Sequence, residues 1–337
     1  MTRAPKKIVL LGGSAGGIEA ISLILQELPA QFEAAVLVVV HLNPSVPSLL
    51  SDILARRTKL TVRSAQDGAV IEAGTVYVAP PDRHLTIHEG CVLLGRGPRE
   101  NGFRPAVDPL FRSGAAAAGP HVIGVVLSGN LDDGTMGLVM IKQQGGIAIV
   151  QHPDDALYPG MPASALQEVP DIDYVLPASA IGQRIASLVE ESRVQSITIA
   201  RDVQPDMAIG GDEPLNLDER VDGKPANLGC PACGGTLWEF KEGELASYRC
   251  RVGHAFSDEA LLAAQTEALE AALWTAFRAL QEQREQATRI ADRMDRRGHP
   301  TLADRFRRQA QDAERRAAIV RTALQLNQGN NEQVQAI

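Results

Sequence analysis

Ile8-Val9-Leu10-Leu11-Gly12-Gly13-Ser14-Ala15-Gly16-Gly17 decides the fold, because an apolar run breaks into a glycine-rich turn and the chain resumes with helical periodicity. Lys7 to Leu11 predicts a strand, and Ile21, Ile24, Leu25 and Leu28 share one face of a helix beginning at Ile18. Strand, tight turn and helix together open a parallel α/β unit. Ala35 to Val40 repeats the buried strand and ends at His41, with a helix to follow around Leu49 to Ala55. Val122 to Leu127, a helix from about Thr135 to Gln144 and a strand starting at Ile147 continue the pattern. In between, Thr75 to Ala79, Leu85 to Ile87 and Val92 to Leu94 read as shorter strands in an irregular middle, better suited to hairpins than to crossovers.

A chain of 337 residues exceeds one ordinary hydrophobic core, so two or three units are expected. A net charge of -8 argues against broad binding to nucleic acid, whose phosphates need clustered Lys and Arg. The apolar runs, such as Ala34 to Val40, fall far short of the roughly 20 residues that cross a bilayer. Arg3, Lys6 and Lys7 imitate the start of a signal peptide, but the glycines from Gly12 to Gly17 interrupt the apolar run behind them. The expectation is a cytoplasmic protein without direct membrane insertion.

Chemistry concentrates at strand ends. Gly12, Ser14 and Gly16 satisfy G-x-S-x-G, a turn that lifts a serine out of the sheet beside helix-opening amides able to stabilise an oxyanion. Serine needs a base, and His41 closes the next strand on the same sheet edge. A carboxylate must then orient the imidazole, and Asp132 and Asp133 follow the strand ending at Leu127. Three strand ends thus converge on one crevice, with Ser14 as nucleophile and His41 as base. Singly, each has a plain structural explanation: a glycine turn, a strand-end histidine, an Asp pair forming a turn before Gly134. A dinucleotide site fits less well, since G-x-G-x-x-G is not matched and His41 stands where an acidic residue would. An ordinary α/β-hydrolase places its serine after several strands and orders its triad Ser, Asp, His.

The segment from Ile8 to about Val189 resembles the catalytic domain of the chemotaxis methylesterase (CheB) family. The resemblance rests on Gly12 to Gly17, His41, Arg104-Pro105-Ala106-Val107-Asp108-Pro109-Leu110-Phe111-Arg112-Ser113, Leu127-Ser128-Gly129-Asn130-Leu131-Asp132-Asp133-Gly134, and Gly160-Met161-Pro162. It implies Asp133 as the catalytic acid, no cofactor for catalysis, and hydrolysis of glutamate methyl esters on chemoreceptor-like or other signalling proteins, releasing methanol. Deamidation of receptor glutamines is implied for some members. Asn130 and Leu131 stand where chemotaxis members usually have Met and Gly, and Leu42-Asn43-Pro44 also departs from that branch. Regulated members carry a receiver domain ahead of the first strand, whereas this sequence starts at that strand, so control by that route is not expected. The competing reading is a signalling scaffold that has lost catalysis and presents its C-terminal modules to partners.

Between about Gln195 and Pro225, Asp and Glu gather beside Gly and Pro, a linker composition. Cys230-x2-Cys233 and, after sixteen intervening residues, Cys250-x3-His254 then offer four ligands for tetrahedral zinc. Four protein ligands leave no open position, so the zinc is expected to be structural. Trp238 and Phe240 are expected in that module's core, Cys91 as an ordinary cysteine, and His84 and His88 at the surface. Leu269, Leu273, Ala276, Leu280, Gln283, Ala287, Ile290 and Met294 follow coiled-coil spacing, and Phe306 to Leu324 nearly repeat it beyond Gly298-His299-Pro300. This predicts an antiparallel helical hairpin, paired within the chain or with a second copy as a dimer. The organisation expected is 1–194 catalytic, 195–225 linker, 226–256 zinc-ribbon-like module and 257–328 hairpin, within an α/β fold whose mainly parallel sheet is flanked by helices. The linker is long enough to let the C-terminal half fold back over the crevice.

Overall fold

Seven parallel strands carry the first half of the chain in the computed structural model, which describes residues 3–192, 223–242 and 245–334. In chain order they are β1 (Ile8–Gly13), β2 (Ala35–Val40), β3 (Thr61–Ser64), β4 (Thr75–Val78), and, after a hairpin of β5 (His84–His88) and β6 (Cys91–Gly95), β7 (Val122–Val126), β8 (Ile147–Gln151) and β9 (Tyr174–Leu176). Their order across the sheet is β3-β4-β2-β1-β7-β8-β9. All these pairings are parallel, with Gly13 opposite Val40 and Gly12 opposite Val126. Six helices belong to this half: α1 (Gly17–Glu27), α2 (Leu50–Ala55), α3 (Val107–Ala118), α4 (Thr135–Gln143), α5 (Gly160–Glu168) and α6 (Ala178–Glu190).

The period of two in β1 explains the layering. Ile8 and Leu10 join one apolar cluster with Leu110 and Phe111 of α3, Leu138 and Ile141 of α4, and Met161 of α5. Val9 and Leu11 point the other way, into a cluster with Ile21, Ile24 and Leu25 of α1 and Ile181 and Ile185 of α6. Both faces are therefore covered, which is why β1 and β2 are uniformly apolar rather than alternating. Strand order reverses at β1, between β2 and β7, and a crevice opens at the carboxyl ends of those strands.

The irregular middle departs from expectation in one respect. Leu85 to Ile87 and Val92 to Leu94 do form a hairpin, β5–β6, but Thr75 to Val78 joins the main sheet in parallel beside β2. Its four buried positions make it an interior strand, and the exposed edge strand β3, with its Thr, Arg and Ser, carries little apolar signal. His84 is buried rather than at the surface: Nε2 donates to the Pro98 carbonyl at 2.9 Å and Nδ1 accepts from the Ala106 amide at 3.4 Å. His88 is half-buried, and so is Cys91.

The expected linker lies outside the described residues except for its last three positions, where β10 (Lys224–Gly229) already begins. That strand starts an antiparallel sheet with β11 (Thr236–Glu242), β12 (Leu245–Cys250) and β13 (Ala255–Ser257). Leu237, Ala255 and Phe256 are buried in it, whereas Trp238 and Phe240 are only half-buried. The chain divides into two compact units, Met1–Leu261 and Leu262–Ile337. The second consists of the helices α7 (Asp258–Arg296, its first turn in unit one) and α8 (Pro300–Val334), with Gly298 at φ 74° in the turn. Ala287, Ala291, Ala303, Ala310, Ala313, Ala317 and Leu324 are buried there, and Arg284–Glu314 and Arg307–Asp295 ion pairs link the helices. Leu269, Ala276 and Gln283, expected in the seam, are exposed.

Candidate active site

Ser14 follows β1, at a turn where Gly16 takes φ 73° as it caps α1, a conformation that costs a residue with a Cβ roughly 1–2 kcal/mol. The turn is anchored from both sides. The Ser14 amide donates to the Ser128 carbonyl at 2.9 Å, and the His41 amide to the Gly13 carbonyl at 3.3 Å. A Cβ on Gly129 would lie 2.1 Å from Met161 Sδ and 2.8 Å from Ser14 Cβ, so only glycine lets the acid-bearing turn approach the serine this closely.

The three sequence-predicted residues meet. His41 Nδ1 lies 3.1 Å from Ser14 Oγ, and His41 Nε2 lies 2.7 Å from Asp133 Oδ2. Since a carboxylate only accepts, Nε2 carries the ring proton toward Asp133, which leaves Nδ1 to accept from the serine hydroxyl. The imidazole and the Asp133 carboxylate are almost wholly buried, at 4% and 2% side-chain exposure, so their attraction is little screened by water. Asp132 does not join them: its carboxylate accepts from Ser257 Oγ at 2.7 Å.

Asp133 is held by more than histidine. The Val107 and Asp108 amides opening α3 donate to Oδ2 at 2.7 Å and Oδ1 at 3.1 Å, and Asn101 Nδ2 donates to Oδ1 at 3.1 Å. Burial by itself would push this carboxyl up, but the hydrogen bond and charge of His41 and the two amides outweigh it and hold it at about 2. Burial, and then the charge of Asp133, raise neighbouring Asp108 well above the ordinary carboxylate range. Asp133 is thus the ionised member of the pair. Asp108 instead braces the turn, accepting from the Gly134 amide at 3.1 Å and the Gly137 amide at 2.7 Å.

Phe103 stacks on the His41 ring, with centroids 3.7 Å apart and planes within 7°. Sequence reading missed Asn101, Phe103 and the bracing role of Asp108. The Asn101-Gly102 dipeptide was the available signal, because Asn-Gly favours left-handed turns, and Asn101 indeed has φ 51°. A cleft of about 750 Å³ opens over the serine, lined by Ser14, Gly16, Glu19, His41, Arg99 and Arg104 among others. No described residue of 223–261 is among those lining it.

The residues from Val9 to Ile185 match the CheB methylesterase family model. The chain belongs to the CheB methylesterase family. A protein-glutamate methylesterase/protein-glutamine glutaminase 2 of Methanosarcina mazei is 36% identical over 192 residues, 55% of this chain and 52% of the relative. The Pyrococcus horikoshii protein-glutamate methylesterase/protein-glutamine glutaminase is 34% identical over 186 residues, 54% of this chain and 50% of the relative. The chain thus spans about half the length of the curated relatives it matches. The crystal structure of the Thermotoga maritima CheB methylesterase catalytic domain superposes with a TM-score of 0.52 at 36% identity, over 54% of this chain and 98% of that one.

Beyond the CheB-matched segment, Cys230, Cys233, Cys250 and His254 gather with their ligand atoms all within 4.8 Å of one another, a group able to hold a metal ion. Cys233 Sγ lies 3.6 Å from Cys250 Sγ, and His254 Nδ1 lies 3.7 and 3.5 Å from the sulfurs of Cys230 and Cys250. These distances fit the edges of a tetrahedron with metal–ligand bonds of about 2.0–2.3 Å, and are far longer than an S–S bond of roughly 2.05 Å. Among the described residues no helix is long and apolar enough to cross a membrane.

Proposed function

We propose that this chain is a serine hydrolase that demethylates glutamate methyl esters on chemoreceptor-like or other cytoplasmic signalling proteins, releasing methanol, with glutamine deamidation as a second reaction of the same site. One observation carries the reading: the Ser14–His41–Asp133 relay, with contacts of 3.1 and 2.7 Å, at three strand ends beside an open cleft. Ser14 Oγ attacks the ester carbonyl as His41 Nδ1 accepts its proton, and Asp133 holds the imidazolium that results. Backbone amides at the turn into α1 take the developing oxyanion. His41 then returns the proton to the departing methoxide, and water, activated by the same ring, cleaves the acyl-enzyme. An amide substrate releases ammonia by the same steps. No step calls for a cofactor.

The expected organisation stands as part of the proposal: 1–194 catalytic, 195–225 a tether, 226–256 a zinc-ribbon-like module and 257–328 a hairpin that pairs internally or with a second copy. Zinc is the ion the donor set favours, since thiolate and imidazole suit a borderline-soft cation and four protein ligands leave no reactive position. Its role here is structural.

Methanol release from methylated receptor fragments, measured for wild type and Ser14→Ala, tests the assignment. Release by wild type and none by the variant is expected. Equal release from both overturns it.

A further inference from the structure

The Cys3His module grips the catalytic acid through one residue. Its last ligand, His254, is followed at once by β13, and Ala255 forms a bridge with the loop that precedes α3: the Asn101 amide donates to the Ala255 carbonyl at 2.8 Å, and the Ala255 amide to the Arg99 carbonyl at 3.3 Å. The Ser257 amide then donates to Asn101 Oδ1 at 3.0 Å. This fixes the Asn101 amide group from both sides. Its oxygen faces a donor, so its nitrogen must face the acceptors, Asp133 Oδ1 and Asp108 Oδ2, each at 3.1 Å. Asn101 is 8% exposed, so no solvent stands in for these partners.

The same loop carries Phe103, stacked on His41, and Glu100, whose carboxylate takes two bonds from buried Arg112 at 2.8 and 2.7 Å. Arg249 of β12 adds a second positive charge near Glu100. Ser257 Oγ reaches Asp132, next to the acid itself. Residues 99–103 are thus clamped between the catalytic sheet and the metal module, and they touch both the base and the acid of the relay.

We propose that Asn101 is a positioning residue through which the metal-bound Cys230–Cys233–Cys250–His254 module holds Asp133 and the His41 ring in their working geometry, so that metal occupancy sets the turnover rate of Ser14. The inference rests on the esterase reading for its rate arm. Its structural arm stands without it. A displacement of the relay by about 1 Å can cost on the order of 100-fold in rate, and the path from His254 to Asn101 involves only the three residues of β13.

The test uses the full chain. Zinc is stripped with a chelator and its loss verified by metal analysis, then zinc(II) alone is added back, and hydrogen exchange is followed in peptides covering 99–104 and 131–134. Metal loss is expected to raise exchange in both while β1 stays protected, and to lower kcat by about 10- to 100-fold with KM nearly unchanged. Zinc(II) should restore both. Asn101→Ala, and more weakly Ser257→Ala, should reproduce the fall in kcat with metal still bound. Asn101→Ala should also move the acid limb of the kcat/KM profile to higher pH, since a carboxylate relieved of a donor holds the imidazolium more tightly. A merely weakened fold would not move that limb. Metal-free protein with unchanged exchange at 99–104 and unchanged kcat overturns the proposal, as does an unshifted profile in Asn101→Ala. If wild type itself releases no methanol, the esterase reading falls, and the exchange data alone decide the coupling.

Discussion

Asp132 and Asp133 are adjacent in sequence and opposite in environment. Asp133 is ionised and faces His41. Burial raises Asp132 to about 7, against the lowering effect of its bond from Ser257. Asp133→Asn should therefore keep the fold and lower kcat by about 10⁴-fold, through loss of the correct imidazole tautomer. Ser14→Ala and His41→Ala should abolish turnover, and Asp132→Asn should matter far less; an essential Asp132 with a dispensable Asp133 would reverse the assignment. Asp132 has its own signature in stability. Its folded value of about 7 exceeds the ordinary 3.8, so its proton favours the native state. That contribution is complete below about pH 4 and is lost as pH rises through about 7. Urea midpoints should show the decline in wild type and a flatter profile in Asp132→Asn, which cannot ionise; parallel profiles would refute the assignment. Leu131, at φ 61°, carries a left-handed conformation that a Cβ disfavours. Leu131→Gly should raise the unfolding free energy by about 0.5–1 kcal/mol, the relief of strain less glycine's extra entropy in the unfolded chain, as read from denaturant curves.

Among the elements, α3 does the most to build the site. Its opening amides hold Asp133, its Asp108 braces the Gly134 turn, and its Arg112 pairs with Glu100. Burial opposes the charge on both partners. Each nevertheless shifts toward its ionised form because the other lies beside it, with Arg249 helping Glu100. Breaking such a pair from one side leaves an uncompensated buried charge. Arg112→Met should cost about 3–5 kcal/mol, and a double variant that also carries Glu100→Gln should recover part of that loss in urea denaturation. A double variant no more stable than Arg112→Met would show that the charges are not coupled.

For the whole molecule, the module of β10–β13 has few buried apolar residues, Leu237 and Phe256 chief among them, so the proposed metal is expected to be the cross-link its fold depends on. Metal removal should therefore unfold 227–256 while leaving the seven-stranded sheet folded, seen as loss of exchange protection in that segment and in its contact points at 99–104 and 131–134, with β1 still protected. A single cooperative melt of both would instead show that the module and the sheet unfold as one. None of the described module residues is among those lining the cleft over Ser14, and the proposed coupling of the module to the site runs through the Asn101 contacts with Ser257 and Asp133.

The parallel α/β core, Ser14, His41, the Asp132–Asp133 pair and the Cys3His set were legible in sequence because each follows from local order: apolar runs of strand length, a small-residue turn, polar residues at strand ends, and paired ligand spacing; the choice of Asp133 within the pair came from the resemblance to the CheB family. β4 escaped because a four-residue apolar strand reads alike in a hairpin and in a parallel sheet, and only its pairing beside β2 separates them. The burial of His84, the stacking of Phe103 and the double grip of Asn101 rest on partners at the far ends of long sequence separations, from Pro98 and His41 to Ser257. No local pattern encodes such contacts. Sequence set which groups could do the chemistry; the tertiary structure decided which neighbours hold them, since a buried polar atom takes its partners from whatever the fold brings within hydrogen-bonding distance.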